Sequence, residues 1–199
     1  MRECPLLIGL TGNIATGKSL VGEMLAGLGA RVIDADRVAH EVMRVGSPAF
    51  NAVVEAFGPT VLAADGTIDR AKLGDIVFRD EGALARLEAA VHPAVIAEVG
   101  RRIARATEPV VVVEAIKLIE TGMHRSYDAL WVVTAPRRLQ IARLMTERGL
   151  TEEEAVLRVD AQPSQEEKAA LADRILVNDG SPDQLQQEVR RAWTLLLAK

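Results

Sequence analysis

The sequence predicts an α/β fold with three layers, in which helices cover both faces of a central parallel sheet. Five short apolar, β-branched runs carry this prediction, at residues 6–10, 31–33, 110–113, 130–133 and 175–177. Longer stretches with helical spacing separate these runs, and such alternation is typical of βαβ units around a buried parallel sheet. A length of 199 residues suits one domain with insertions better than two independent domains.

A glycine-rich loop directly follows the first predicted strand. Its sequence, GNIATGKS, fits the pattern G-x-x-x-x-G-K-[ST] through Gly12, Gly17, Lys18 and Ser19. Apolar residues at helical spacing over residues 19–28 predict a helix after the loop. A loop between a strand and a helix N-terminus brings backbone N–H groups and partial positive charge to one point. The strand, loop and helix therefore predict a phosphate-binding P-loop.

The chemistry of the loop indicates a nucleoside triphosphate bound with Mg²⁺. Lys18 supplies a point charge for β- and γ-phosphate oxygens, and the Ser19 hydroxyl suits one position on the metal. Two other nucleotide folds fit less well, because the loop lacks the G-x-G-x-x-G of dinucleotide-binding folds and the chain lacks the Asn-Lys-x-Asp tetrapeptide of GTPases. We expect ATP, in contact with Gly12, Asn13, Ile14, Ala15, Thr16, Gly17, Lys18, Ser19 and Leu20.

Two carboxylates, Asp34 and Asp36, end the second predicted strand in the sequence VIDAD. Residues two apart share a face of an extended chain, so both side chains are predicted to face the cleft at the carboxyl end of the sheet. Asp36 is also placed to cap a following helix. In phosphoryl transfer, an acid at this point would be a base for an acceptor hydroxyl or a water-mediated ligand of Mg²⁺.

Two helical segments interrupt the predicted core and set the domain boundaries. Residues 37–92 carry helical patterns broken at glycine and proline turns, and form a predicted acceptor-binding insertion. Residues 137–165 carry two charged helices hinged at Gly149, with a capping box between Thr151 and Glu154, and form a predicted helical hairpin. The nucleotide-binding core comprises residues 1–36, 93–136 and 166–199. Together with the P-loop, this arrangement predicts a nucleotide-binding α/β core with a helical insertion for a second substrate and a charged helical hairpin.

Composition excludes several classes of protein. The net charge is −4 and aromatic residues make up 3%, so neither a basic field nor a base-stacking platform for nucleic acid is expected. The chain has one cysteine, which excludes an intrachain disulfide framework. It also lacks a signal-peptide pattern and a long apolar run, so a membrane span is not expected. These features predict a cytoplasmic protein that acts on a small molecule, and they leave its oligomeric state open.

Several longer stretches resemble the dephospho-CoA kinase family, in the same order along nearly the whole chain. They are GLTGNIATGKS, VIDADRVAH, ADGTIDRAKL, VHP, DAQ and ADRILVNDG. The resemblance implies that the enzyme transfers the γ-phosphate of ATP to the ribose 3′-hydroxyl of dephospho-CoA, which makes coenzyme A.

The resemblance also implies roles for individual residues. The implied fold is a P-loop kinase with a helical substrate-binding insertion and a helical lid at residues 137–165. Asp36 would be the catalytic base with Asp34 supporting it, and Arg143 would be the lid arginine that holds the transferring phosphate. The other implied contacts are His92 and Pro93 with the acceptor, and Asn178 and Gly180 with the adenine.

Two positions depart from the family pattern. The sequence EAIKLIE at residues 114–120 has Lys117 where the family has an apolar residue in the acceptor pocket. The second lid arginine is shifted, since Glu147 takes one aligned position and Arg148, expected to bind the nucleotide, follows it. Two further functions fit the same residues: a kinase for another small metabolite such as a nucleoside monophosphate, and a non-catalytic nucleotide-binding regulator, which would not need Asp36.

Overall fold

Five parallel strands form the centre of the structure, a computed structural model that describes residues 4–77 and 79–198. The strands are β1 (Leu6–Gly12), β2 (Arg31–Asp34), β3 (Val110–Glu114), β4 (Ala129–Thr134) and β5 (Arg174–Val177). Their order across the sheet is β2-β3-β1-β4-β5, and each neighbouring pair is parallel. The predicted parallel sheet is confirmed, with all five strands where the apolar runs placed them.

The strands of the sheet are mostly aliphatic because the sheet is buried between helices. Helices cover a parallel sheet on both sides, so its strands have no face that needs polar residues. All five residues of β3 are buried. On one side, helices α1 (Lys18–Gly27) and α9 (Pro182–Leu197) contact each other and share a core with residues such as Ile8, Val112 and Trp131. This packing fixes β1 and α1 on either side of the glycine loop.

Three helices lie between β4 and β5, where the lid is predicted. They are α6 (Arg137–Arg148), α7 (Glu152–Asp160) and α8 (Gln165–Ala169). Gly149 ends α6 with a φ of 65°, and Thr151 and Glu154 form the predicted capping box of α7. Arg137 donates to both carboxylate oxygens of Asp160, at 2.8 and 2.7 Å. This hydrogen bonding holds the pKa of Asp160 below its ordinary value, and the pair joins the start of α6 to the end of α7.

A second compact unit spans Ala35–Arg105 and is helical, as the sequence predicts. Its helices are α2 (Ala35–Val42), α3 (Pro48–Phe57), α4 (Arg70–Val77) and α5 (Glu81–Ala104), with a 3-10 turn at Pro59–Val61. Ser47 caps α3 by accepting from the Phe50 amide, and Gly58 ends the helix. The long helix α5 contacts α2, α3 and α4 and is therefore the central helix of the unit.

The end of this unit differs from the boundary that the sequence suggests. The predicted boundary after His92 falls inside α5, which continues through Pro93 to Ala104. A proline inside a helix costs about 3 kcal/mol. Val91, Val95 and Val99 are buried on one face of the helix, and burial of each stabilises by about 1.5–3 kcal/mol. Packing therefore outweighs the proline, and the helix does not end at His92.

The 24 residues of α5 would reach across a bilayer by length alone. Glutamates and arginines are spread along it, however, as in a helix that faces water. Within residues 4–77 and 79–198, the structure has no helix that combines the length and the apolar character of a membrane span.

Candidate active site

The glycine loop joins the carboxyl end of β1 to α1, as predicted. Gly12 has no room for a side chain, because a Cβ there would lie 2.5 Å from the carbonyl oxygen of Val133. Gly17 has a φ of 92°, and a Cβ there would lie 2.2 Å from Nδ2 of Asn178. Gly17 is thus needed for its left-handed backbone as well as for space. The loop ends at the N-terminus of α1, where partial positive charge favours a phosphate group.

Lys18 and Ser19 share one carboxylate beside this loop. Lys18 Nζ donates to Oε1 of Glu114 at 3.0 Å, and the Ser19 hydroxyl donates to the same oxygen at 2.9 Å. Lys18 and Glu114 are 8% and 4% exposed, and at such burial opposite charges attract more strongly than they do in water. Glu114 therefore holds the two side chains that the motif assigns to phosphate and metal.

Glu114 is a site residue that the motif analysis missed. It is the last residue of β3 and lies opposite Asp34, the last residue of β2, in the sheet register. An acid that ends a fully aliphatic strand beside a second acid is the signal that could have found it, since ligands of open α/β sheets bind at the carboxyl ends of the strands. Gly22 of α1 makes space for the carboxylate, because a Cβ there would lie 2.5 Å from Oε2 of Glu114.

Asp34 and Asp36 are placed differently from the extended pair that the sequence suggests. β2 ends at Asp34, and α2 already begins at Ala35. Asp36 therefore lies in the first turn of α2, half-buried. The alternation of side chains along a strand does not apply across this junction, so the argument that the two residues share a strand face is wrong. The first turn of a helix is nonetheless a favourable position for a carboxylate.

Arg143 of α6 hydrogen-bonds to the backbone of the P-loop and to the backbone just after β5. Its Nη1 donates to the carbonyl of Ala15 at 3.0 Å, and its Nη2 donates to the carbonyl of Asn178 at 3.2 Å. The Asn178 side chain donates in turn to the carbonyl of Thr16 at 2.9 Å. The structure thus brings the predicted lid arginine and one predicted adenine neighbour to the same side of the loop.

The other predicted nucleotide contacts lie around this loop. Thr16 donates its hydroxyl to the carbonyl of Asn13 at 2.9 Å, which closes the turn. Leu20 is partly exposed on α1. Gly180 precedes Ser181, the capping residue of α9, and a Cβ at Gly180 would lie 2.1 Å from Oε1 of Gln184.

Four predicted or atypical positions lie away from the P-loop in the chain. Arg148 is exposed in the last turn of α6, and Lys117 is exposed in the segment after β3. In the second unit, Pro93 is exposed on α5, whereas Nε2 of His92 is buried without a hydrogen-bond partner. A buried ring nitrogen of this kind is costly unless something pairs with it.

Among the described residues, no cluster of three histidine, cysteine or carboxylate side chains has the geometry of a metal site. Ser19 and Glu114 instead place a hydroxyl and a carboxylate side by side. Oxygen donors of these two kinds suit Mg²⁺, which usually takes few ligands from the protein and the rest from water and phosphate.

The sequence model of dephospho-CoA kinases matches residues 6–184 of this chain. The chain belongs to the dephospho-CoA kinase family. A dephospho-CoA kinase from Symbiobacterium thermophilum is 47% identical over 190 residues, which cover 94% of this chain and 80% of that protein. The P-loop predicted from GNIATGKS is thus the nucleotide-binding loop of a family of kinases.

Solved structures agree with this family in fold. A Thermus thermophilus protein of known crystal structure is 34% identical with a TM-score of 0.85, and the match covers 98% of each chain. Dephospho-CoA kinase from Campylobacter jejuni is 28% identical with a TM-score of 0.69, covering 96% of each chain. The P-loop kinase fold is therefore confirmed over almost the whole chain.

Proposed function

We propose that this member of the dephospho-CoA kinase family transfers the γ-phosphate of ATP to the ribose 3′-hydroxyl of dephospho-CoA, giving coenzyme A and ADP. One observation supports this proposal above the others: Lys18 and Ser19 converge on Glu114 at the N-terminus of α1. A phosphate cradle, a buried cation and paired oxygen donors are the parts that phosphoryl transfer requires.

In this proposal the P-loop positions the triphosphate. The backbone N–H groups that follow Gly12 and the N-terminus of α1 bind the phosphates, while Lys18 exchanges its bond to Glu114 for one to the β- and γ-phosphate oxygens. Ser19, together with Glu114, would hold Mg²⁺. When bound, the metal neutralises charge on the β- and γ-phosphates.

Asp36 is the proposed base for the acceptor. It accepts the proton of the 3′-hydroxyl as the ribose oxygen forms its bond to the γ-phosphorus, while the bond to the bridging oxygen of ADP breaks. Asp34 supports it, and His92 and Pro93 contact the acceptor within the second unit. Nε2 of His92 is buried without a hydrogen-bond partner in that unit, and a bound acceptor would supply one.

The lid residues complete the nucleotide site. Arg143 binds the nucleotide from α6 and holds the transferring phosphate, with Arg148 from the end of the same helix. Asn178 and Gly180, after β5, border the adenine. Closure of α6 and α7 would exclude water, which otherwise competes with the acceptor for the phosphoryl group. We propose that this reaction takes place in the cytoplasm, where the single cysteine would remain reduced.

The acceptor is tested directly with the purified protein. Incubation with ATP and Mg²⁺ and a panel of acceptors, namely dephospho-CoA, several nucleoside monophosphates and buffer, is followed by ADP release and the mass of the product. We expect ADP and a product heavier by one phosphate only with dephospho-CoA. ADP release with a different acceptor contradicts the substrate, and ATP binding without acceptor-dependent turnover contradicts catalysis and favours a regulator.

The role of Asp36 is tested by Asp36→Asn, with Asp34→Asn as the matched control. A lost general base lowers turnover by about 10²- to 10⁴-fold, and ADP affinity should stay within about twofold because binding relies on the P-loop. Asp34→Asn should lower turnover much less. Near-normal turnover of Asp36→Asn would remove that residue from the role of base.

A further inference from the structure

Residues 162–168 lie in the connection from α7 to β5, and two of them, Gln162 and Pro163, hydrogen-bond to the P-loop. The backbone N–H of Ile14 donates to Oε1 of Gln162 at 2.7 Å, and the side-chain amide of Asn13 donates to the carbonyl of Pro163 at 2.7 Å. Two consecutive loop residues are therefore held by two consecutive residues of this segment. Gln162 belongs to the DAQ motif, to which the mechanism above assigns no role.

The same segment is anchored firmly at two other loops of the sheet edge. Gln165 exchanges two hydrogen bonds with the backbone of Ala135 after β4, both at 2.9 Å. Lys168, only 3% exposed, donates to the carbonyl of Ile116 after β3 at 2.8 Å and pairs with Glu120 at 3.1 Å. Gln162 thus contacts the P-loop from a support that is fixed at two independent points.

The part of the P-loop held in this way is conformationally unusual. Ala15 has a φ of 57°, the one positive value at a non-glycine residue in the described part of the chain. A left-handed alanine is strained by about 1–2 kcal/mol and persists only when its surroundings impose it. Ile14 and Ala15 pack against a small apolar cluster that α6 and α7 form with Leu144, Ala155 and Val159. Helices α6 and α7 of the lid, together with Gln162 and Pro163, supply these surroundings.

We propose that Gln162 is a positioning residue that holds the P-loop in its phosphate-binding conformation. By accepting from the Ile14 N–H, it fixes the peptide between Asn13 and Ile14, one residue before Ala15, so the following amides keep facing the phosphate site. Because Gln162 follows α7 by two residues, the hydrogen bond also links the lid to nucleotide affinity. This inference rests on the proposed nucleotide-binding function of the loop.

The test compares Gln162→Met with Gln187→Met, which makes the same chemical change at an exposed position on α9. ADP affinity is measured by calorimetry, and protection of the Ile14 amide by hydrogen exchange. A single neutral hydrogen bond is worth up to about tenfold in an equilibrium constant. We expect Gln162→Met to weaken ADP binding by about three- to tenfold, to raise the KM for ATP and to expose the Ile14 amide, whereas Gln187→Met changes none of these.

Three outcomes would overturn the inference. The first is an ADP affinity of Gln162→Met within a factor of two of the original protein, and the second is an equal loss in Gln187→Met. The third is a rise in the KM for dephospho-CoA as large as that for ATP, which would indicate general damage to the structure. Failure of the original protein to bind ADP would instead count against the proposed function, so the two failures are distinguishable.

Discussion

Replacement of Glu114 by glutamine tests the arrangement of the nucleotide site before any substrate is present. Glutamine keeps the size and one acceptor oxygen but removes the charge that Lys18 and Ser19 share at 3.0 and 2.9 Å. Removing one partner of a buried ion pair costs about 3–5 kcal/mol, and the retained acceptor brings the expected loss to the lower end, about 3 kcal/mol. For a chain of this length, 1 kcal/mol corresponds to about 2–4 °C in Tm. We therefore expect Glu114→Gln to lower Tm by about 6–12 °C.

Glu114→Gln should have the opposite effect on the increase in Tm that ADP causes, which should be larger in the variant. In the original protein a phosphate must compete with Glu114 for Lys18, whereas in Glu114→Gln that competition is weaker. ADP should consequently raise the Tm of the variant more than it raises the Tm of the original protein. Both values come from thermal denaturation followed by circular dichroism, with and without saturating ADP and without Mg²⁺, so that only the competition for Lys18 is measured.

The control is Glu166→Gln, which neutralises an exposed carboxylate in the first turn of α8. Such a charge at a helix N-terminus is worth less than about 1 kcal/mol, so its Tm should change by only a few degrees. A Tm of Glu114→Gln within about 2 °C of the original protein would refute the reasoning. An identical ADP-induced increase in both proteins would refute the competition for Lys18.

Two further predictions concern the loop and the lid. Gly17→Ala should abolish measurable ADP binding in calorimetry, because the new Cβ would lie 2.2 Å from Asn178 Nδ2 in a backbone that disfavours side chains; affinity within tenfold of the original would contradict this. Asp160→Asn should lower Tm at neutral pH, because the bond to Arg137 holds the pKa of Asp160 below 3.8. This stabilisation is present above the ordinary pKa and is lost as the pH falls through the pKa of the folded protein. The Tm difference between the two proteins should therefore vanish well below pH 3.8. A difference that persists there would exclude the ion pair as its source.

The fold was largely predictable because its signals are local. Each strand is a short aliphatic run bounded by polar residues, and burial on both faces of a parallel sheet requires that pattern. The turns at Ser47 and Gly149 were predictable for the same reason, since capping and left-handed glycine are properties of a few adjacent residues. The continuation of α5 through Pro93 was not, because it depends on valines packed against other helices.

The site likewise contains residues that the sequence predicts and one that it does not. Gly12, Gly17, Lys18 and Ser19 form a contiguous motif, so sequence alone was enough to bring them together. Glu114 lies 95 residues from Ser19, and only the pairing of β3 with its neighbours reveals that its carboxylate reaches the P-loop. Contacts of this separation are set by topology, which a motif does not encode.

Gly22 carries a consequence for anyone who tries to make this enzyme more heat-resistant. Alanine in place of a glycine inside a helix usually adds roughly 0.5–1 kcal/mol to stability, and α1 offers two such positions. At Gly27 no atom beyond the adjoining residues and the helix's own backbone lies within 4 Å of the added methyl group, so the substitution is open there. At Gly22 the same methyl group would displace the carboxylate that holds Lys18 and Ser19. Of two glycines five residues apart in the same helix, one can be replaced by alanine to gain stability, whereas replacement of the other would disrupt the active site.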